Sequence, residues 1–261
     1  MLSNWESRHG IVDVSDNDAD DGRMLLDGLY YIPNDHLEVI LLIGVDKFES
    51  QEQEESYNNN QQADFLMLLL MDRETKSYTV LHLNRDTMTE IPVLGVRGEK
   101  AGTITGQLAL AHTYGSGGLD SCRNTAEAVS NLLYGVEIDH YIAVTMDAVA
   151  KINDLVGGVT VTVLNDMTSV SPALSEGATV TLTGDLALAY VRTRYGLEDS
   201  SNLQRMERQR QYLSELRKCI SEKSMSDDTF FMEMLEAVSA YLTSDCTANQ
   251  LSLLYDRLSV Y

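Results

Sequence analysis

Short apolar runs separated by polar turns fill most of the chain after a polar start. VILLIGV (39–45) and FLMLLLM (65–71) are unbroken apolar stretches, the pattern of strands buried on both faces. YTVLHL, YIAVTM and VTVTV read as three more strands, the last two joined through a helix near 147–156 and a Gly157-Gly158 turn that serves backbone geometry. GTITGQLALAHTY (102–114) and RNTAEAVSNLLY (123–134) suit helices, the second with Ala126, Val129, Leu132 and Leu133 near helical spacing. A further helix opens at TGDLALAY (183–190), and from about Leu203 another carries Met206, Leu213, Leu216 and Ile220 on its apolar side. The tail from Ser226 continues as amphipathic helices whose Phe and Met residues suit a core better than a lipid surface.

Residues 1–36 read as a polar lead-in containing the acidic run DVSDNDADDG, and 47–62 as a low-complexity surface loop. The remainder, 37–261, is long enough for one α/β domain. With 44% hydrophobic residues the core is substantial, yet no apolar run is long enough to cross a bilayer and no signal-peptide pattern opens the chain. Cys122, Cys219 and Cys246 are far apart, without C-x-x-C or Cys/His spacing, so no structural zinc or redox motif is indicated and at most one disulfide is possible. His112 ends a helical segment and reads as structural.

Charge changes the picture. Forty acidic against 19 basic residues give a net charge of -21, which argues against broad nucleic-acid or anionic-membrane binding. Against that background Arg192, Arg194, Arg205, Arg208, Arg210, Arg217 and Lys218 are concentrated in one stretch, the composition of a local anion site. Arg192 and Arg194, two apart on an extended segment, can face one pocket, while Arg205, Arg208 and Gln209 share one side of a helix near its positive end. Three strands also carry charge at a boundary: Asp46 and Arg85 follow theirs and Asp64 precedes its own. These converge if the strand directions cooperate; ordinary turn chemistry is the alternative. Arginines around two carboxylates suit a diphosphate with a hard divalent cation such as Mg2+, chemistry that needs no Cys or His nucleophile.

YVRTRYGLEDSSNLQRMERQRQYL (190–213) resembles the signature of the LytR-CpsA-Psr family. ILLIGVD, the apolar strand after Asp64, NRD at 84–86, the Gly-rich segment 114–118, IDHYIAV and LVGGVTVTV follow in the family's order. The resemblance implies a mixed central sheet flanked by helices on both sides, with an apolar lipid-binding cleft near the arginines. It further implies transfer of a phosphoglycosyl polymer from a polyprenyl-diphosphate carrier to peptidoglycan, outside the cell, with a single N-terminal membrane anchor that precedes this chain. On the family's pattern Asp46 and Asp64 match the Mg2+ ligands, and Arg85, Arg192, Arg194, Arg205 and Gln209 match the diphosphate contacts. Asp86 and Asp199 fall on patterned acidic positions, Asp86 as the group that orients Arg85 or, less directly, as a base toward the acceptor hydroxyl.

The chain departs from the pattern at Gln62, Ala63 and Phe65 around the second aspartate, where a basic residue, Ser and Thr are usual, at Asn84 in place of Ser or Pro before Arg85, and at Thr89 in place of a basic residue. These departures leave open a catalytically weakened module that binds polyprenyl phosphates or envelope glycans. A diphosphate hydrolase also remains open, since sequence does not distinguish water from a sugar hydroxyl as acceptor.

Overall fold

The computed structural model describes residues 24–26, 28–32, 34–46, 62–94, 99–194 and 202–261. Most of the expected lead-in, the loop after Asp46 and Asp199 lie outside the described residues. In chain order the elements are β1 (Met24–Leu26), β2 (Leu29–Tyr31), β3 (Leu37–Val45), β4 (Ala63–Asp72), β5 (Ser77–Leu83), β6 (Met88–Leu94) and β7 (Lys100–Gln107). A 3-10 helix (Leu108–Tyr114) leads to α1 (Gly118–Leu132), β8 (His140–Thr145), α2 (Met146–Leu155), β9 (Val159–Thr162) and β10 (Thr179–Leu182). The chain ends with α3 (Gly184–Arg192), α4 (Asn202–Ser226), α5 (Phe230–Val238), β11 (Leu242–Ser244) and α6 (Ala248–Val260).

Five strands form the central sheet in the order β11-β8-β3-β4-β5. β3 runs antiparallel to β4 and parallel to β8, so the sheet is mixed. Both apolar runs therefore lie in the interior of the sheet, as their lack of alternation predicts. Val39, Leu41, Ile43 and Val45 of β3 face Ala126 and Val129 of α1 together with Leu108 and Ile91. Ile40 points the other way, onto Leu251 and Leu254 of α6. A second apolar cluster gathers Val159 and Val161 of β9, Leu182 of β10, Ala187 and Tyr190 of α3, and Tyr212 and Leu216 of α4. Helices thus cover both faces of the sheet.

The expected helix over 102–114 is a strand over its first half: β7 pairs with β6, Ile104 opposite Ile91, and only 108–114 turns helically. Gly102 and Gly106 weaken a helix, the β-branched Thr103, Ile104 and Thr105 fit a pleated surface, and the pairing decides between them. The Gly157-Gly158 turn needs φ of 88° and 94°, which bears out its backbone role. All three thiols are free, and His112 is buried, its Nε2 4.0 Å from Cys122 Sγ. No helix among the described residues is long and apolar enough to cross a membrane.

One buried charge fastens the C-terminal helix to the sheet. Glu38, at the start of β3 and 3% exposed, accepts two hydrogen bonds from Arg257 of α6, at 2.5 and 2.9 Å, and one from Arg73 Nε at 3.2 Å. Burial pushes its carboxyl up from the ordinary 4.5, but the hydrogen bonds and charges of Arg257 and Arg73 outweigh burial and hold it below that value. A carboxylate depressed in the folded state contributes stability that is present above the ordinary value and is lost as the pH falls through the depressed one. Urea unfolding of Arg257→Ala should show a loss of about 1–3 kcal/mol at neutral pH, and the difference from wild type should shrink as the pH falls below 4.5 and through the depressed folded value.

Candidate active site

β3 ends at Val45, so Asp46 emerges from the sheet edge where the apolar strand stops. Asp64 is the second residue of β4, beside the same edge because β3 and β4 run antiparallel. Arg85 follows β5 in the turn after Asn84. Strand directions therefore do bring the three together. Arg85 Nη1 contacts Asp64 Oδ1, its Nε lies 3.4 Å from Asp86 Oδ1, and its Nη2 donates to Gln62 Oε1 at 2.7 Å.

From the opposite side come α3 and α4. Arg192 Nη2 meets Asp46 Oδ2 at 3.1 Å, while Asp46 Oδ1 is buried with no hydrogen-bond partner among the described residues. The Arg192 side chain is 53% exposed, so this pair is weakly held and can exchange for another anion. Arg205, 5% exposed, donates from Nη2 to Asn202 Oδ1 at 2.6 Å and to the Asp64 carbonyl at 3.4 Å. Burial first, then repulsion from Arg85 and Arg194, pushes the Arg205 guanidinium down to about 10. Arg85 is likewise lowered, by burial foremost and by Arg194, with Asp86 and Asp46 opposing. Arg85, Arg194 and Arg205 thus share one neighbourhood and repel one another, a condition that a bound anion relieves.

Arg192 and Arg194 reach the site by a route other than the expected extended segment. Arg192 is the last residue of α3, and the extended Thr193 follows it as the cap. A capping arrangement fixes this exit. Arg208, fully buried, donates from Nε to the Tyr190 carbonyl at 2.9 Å, from Nη2 to the Thr193 carbonyl and from Nη1 to Asn165 Oδ1 at 3.2 Å. Gln209 Nε2 donates to the Val191 carbonyl at 3.1 Å. Arg208 and Gln209 therefore satisfy the C-terminal carbonyls of α3. Their shared side with Arg205 faces two tasks: Arg205 reaches Asn202 and the Asp64 backbone carbonyl at the site, and Arg208 holds a helix end. Arg217 donates to the Leu258 carbonyl at 2.9 Å and Lys218 pairs with Glu215 at 2.7 Å, so these two belong to the surface.

Two supporting groups escaped the sequence reading. Asn202 couples Arg205 to Asn84, its Nδ2 lying 2.6 Å from Asn84 Oδ1, and Asn84 Oδ1 also accepts from the Asp86 backbone N–H at 3.0 Å. Its signal was the three-residue spacing to Arg205 at the helix start. Gln62, a departure from the family pattern, acts as the neutral acceptor for Arg85. Thr89 sits in β6 at 8% exposure, a position where a cation would be costly.

An apolar cavity of about 130 Å³ adjoins this polar edge, lined by Phe65, Met146, Val149, Ile152, Val191 and Leu213 among others. Gly44 allows the close packing, because a Cβ there would stand 2.9 Å from Phe65 Cβ. Phe65 also meets the His82 ring, centroids 4.9 Å apart, and burial, with help from Arg210 and Arg205, lowers His82 to about 4, so it is neutral at physiological pH. Lining residues Gly44, Phe65 and Val191 lie within two positions of Asp46, Asp64 and Arg192.

The two arginine classes separate in stability. Arg208→Ala, which strips donors from the buried Tyr190 carbonyl and from the half-buried Thr193 carbonyl and Asn165 Oδ1, should cost about 3 kcal/mol in chemical denaturation. Arg192→Ala should stay within about 1 kcal/mol of wild type.

The chain matches the LytR_cpsA_psr family model over residues 15–260. The polyisoprenyl-teichoic acid–peptidoglycan teichoic acid transferase TagU of Bacillus cereus is 30% identical over 212 residues, 81% of this chain and 61% of that protein. The chain therefore spans about three fifths of that relative's length. Among solved structures, gbs0355 of Streptococcus agalactiae superposes with a TM-score of 0.68 at 24% identity, covering 86% of this chain and 74% of that one. TagV of B. subtilis superposes at 0.64 with 23% identity, covering 87% and 81%. With the family model spanning nearly the whole sequence, the chain belongs to the LytR-CpsA-Psr family.

Proposed function

We propose that this chain is a cell-wall glycopolymer phosphotransferase, taking a phosphoglycosyl polymer from a polyprenyl-diphosphate carrier to a peptidoglycan hydroxyl. The observation that carries the reading is the convergence of Arg85, Arg192 and Arg205 on Asp46 and Asp64 beside an apolar cavity. Such a site presents guanidinium donors to a diphosphate and an apolar wall to the attached lipid. The Bacillus cereus relative, a teichoic acid transferase to peptidoglycan by name, suggests the class of polymer and acceptor.

In this reaction the acceptor oxygen forms a bond to the sugar-linked phosphorus as the bond to the bridging oxygen breaks. Polyprenyl phosphate leaves and the hydroxyl proton is released. Arg85, Arg192, Arg194 and Arg205 neutralise charge on the leaving phosphate and on the transferred group, the dominant contribution in phosphoryl transfer. Asp86 orients Arg85 through its contact with Nε. Gln209 holds the end of α3, and with it the position of Arg192.

Asp46 and Asp64 supply hard oxygen donors, and Asp46 Oδ1, buried with no hydrogen-bond partner among the described residues, fits a cation ligand. Asp46 and Asp64 would hold Mg2+, which offsets diphosphate charge when bound. In this reading the domain works at the extracellular face of the cytoplasmic membrane, where lipid carrier and peptidoglycan meet, attached by an N-terminal anchor.

With a lipid-diphosphate donor and peptidoglycan acceptor, Arg85→Ala and Arg192→Ala should each reduce transfer by about 100-fold or more while circular dichroism stays unchanged. Full transfer by both variants would contradict the proposal. Release of polyprenyl phosphate without glycopolymer on peptidoglycan would identify a hydrolase, and lipid binding without turnover a binding module.

A further inference from the structure

At the opposite end of the sheet a second set of side chains converges. β8 pairs with β3 in parallel, His140 beside Ile40 and Thr145 beside Val45, so His140 lies at the edge remote from Asp46. β11 closes this side of the sheet by pairing Ser244 with Ile142, and Asp245 and Cys246 follow it in the turn before α6. His140 Nδ1 stands 3.1 Å from Asp245 Oδ2, Cys246 Sγ stands 3.9 Å from Asp245 Oδ1, and one donor atom from each residue falls within 4.8 Å of the others. Ligands about a tetrahedral Zn2+ at ordinary bond lengths are separated by roughly 3.3–3.8 Å, so small side-chain rotations bring the three into register.

The three donors are also held from behind. The Tyr141 N–H donates to Asp245 Oδ1 at 3.0 Å, which turns Oδ2 toward His140. Ser244 Oγ donates to the Tyr141 carbonyl at 2.9 Å and accepts from the Cys246 N–H at 3.0 Å, fixing the turn that presents the thiol. Outer hydrogen bonds of this kind orient metal ligands. Imidazole, carboxylate and thiol together select a borderline-soft divalent ion over Mg2+ or Ca2+.

We propose that His140, Asp245 and Cys246 form a site for a divalent transition metal of the Zn2+ class, fastening β11 and the start of α6 to the edge of the central sheet. Binding replaces the His140–Asp245 hydrogen bond with bonds to the ion, releases the Cys246 proton to solvent and leaves a fourth position for water. The role is separate from the arginine site at the other end of the strands, and no step of transfer passes through it.

Co2+ titration of the full chain under reducing, chelator-free conditions tests this, because a thiolate ligand gives Co2+ a charge-transfer absorption that carboxylates and imidazoles do not. The expected result is a band saturating at one equivalent, displaced by Zn2+, retained in Cys219→Ser and lost in Cys246→Ser. His140→Ala should weaken Zn2+ binding by roughly 100-fold or more, and saturating Zn2+ should raise the Tm of wild type by about 5 °C but not that of Cys246→Ser. Absence of the band in wild type, or its persistence in Cys246→Ser, would overturn the assignment, and the wild-type measurement decides it even if a variant folds poorly.

Discussion

Strand β3 is hydrogen-bonded on both sides and buried on both faces, which leaves only its two ends for charge. Glu38 occupies one end and Asp46 follows the other. The two ends are treated differently. Arg257 and Arg73 meet both Glu38 oxygens, and the result is a structural clamp on the last helix. Asp46 has one oxygen on a half-exposed arginine and the other buried without a partner among the described residues, which leaves binding capacity where a ligand would be needed. The same constraint applies to Asp64, which enters at the start of β4 and meets Arg85 before the apolar run begins.

The cationic side of the site depends on a division of labour within one helix. Arg208 and Gln209 tie the end of α3 to α4, and that attachment sets where Arg192 and Arg194 emerge. Arg205, one turn earlier on α4, is braced by Asn202 and reaches toward Asp64. A network assembled from β5, α3 and α4 can hold several guanidiniums close together despite their repulsion only because packed elements fix their positions. The adjacent apolar cavity uses the same elements, so lipid and diphosphate binding would draw on one rigid frame.

Much of this was legible in the residues. The runs at 39–45 and 65–71 announce interior strands, and the charges that bound them, Asp46 and Asp64, announce the site edge. β6 and β7 were harder: Pro92 lies within β6 and glycines interrupt β7, so each pattern is weak until the two pair. β11, three residues long, has no periodicity to detect. Within the arginine cluster, spacing put Arg205 and Arg208 on one side of a helix but could not separate ligand-facing from helix-capping roles. That distinction depends on which carbonyls another helix leaves open. Gln62 and Thr89, which look like losses in the pattern, have local reasons: one accepts from Arg85 and the other is buried in a strand.

In the proposed reading, the arginines at the ends of α3, α4 and β5 make a diphosphate site beside an apolar cavity. Native mass spectrometry with a short polyprenyl diphosphate and Mg2+ measures this directly, comparing wild type with Arg194→Ala. A diphosphate site gives a one-to-one complex in wild type that is lost in the variant. No complex with wild type, or equal binding by both proteins, would contradict it.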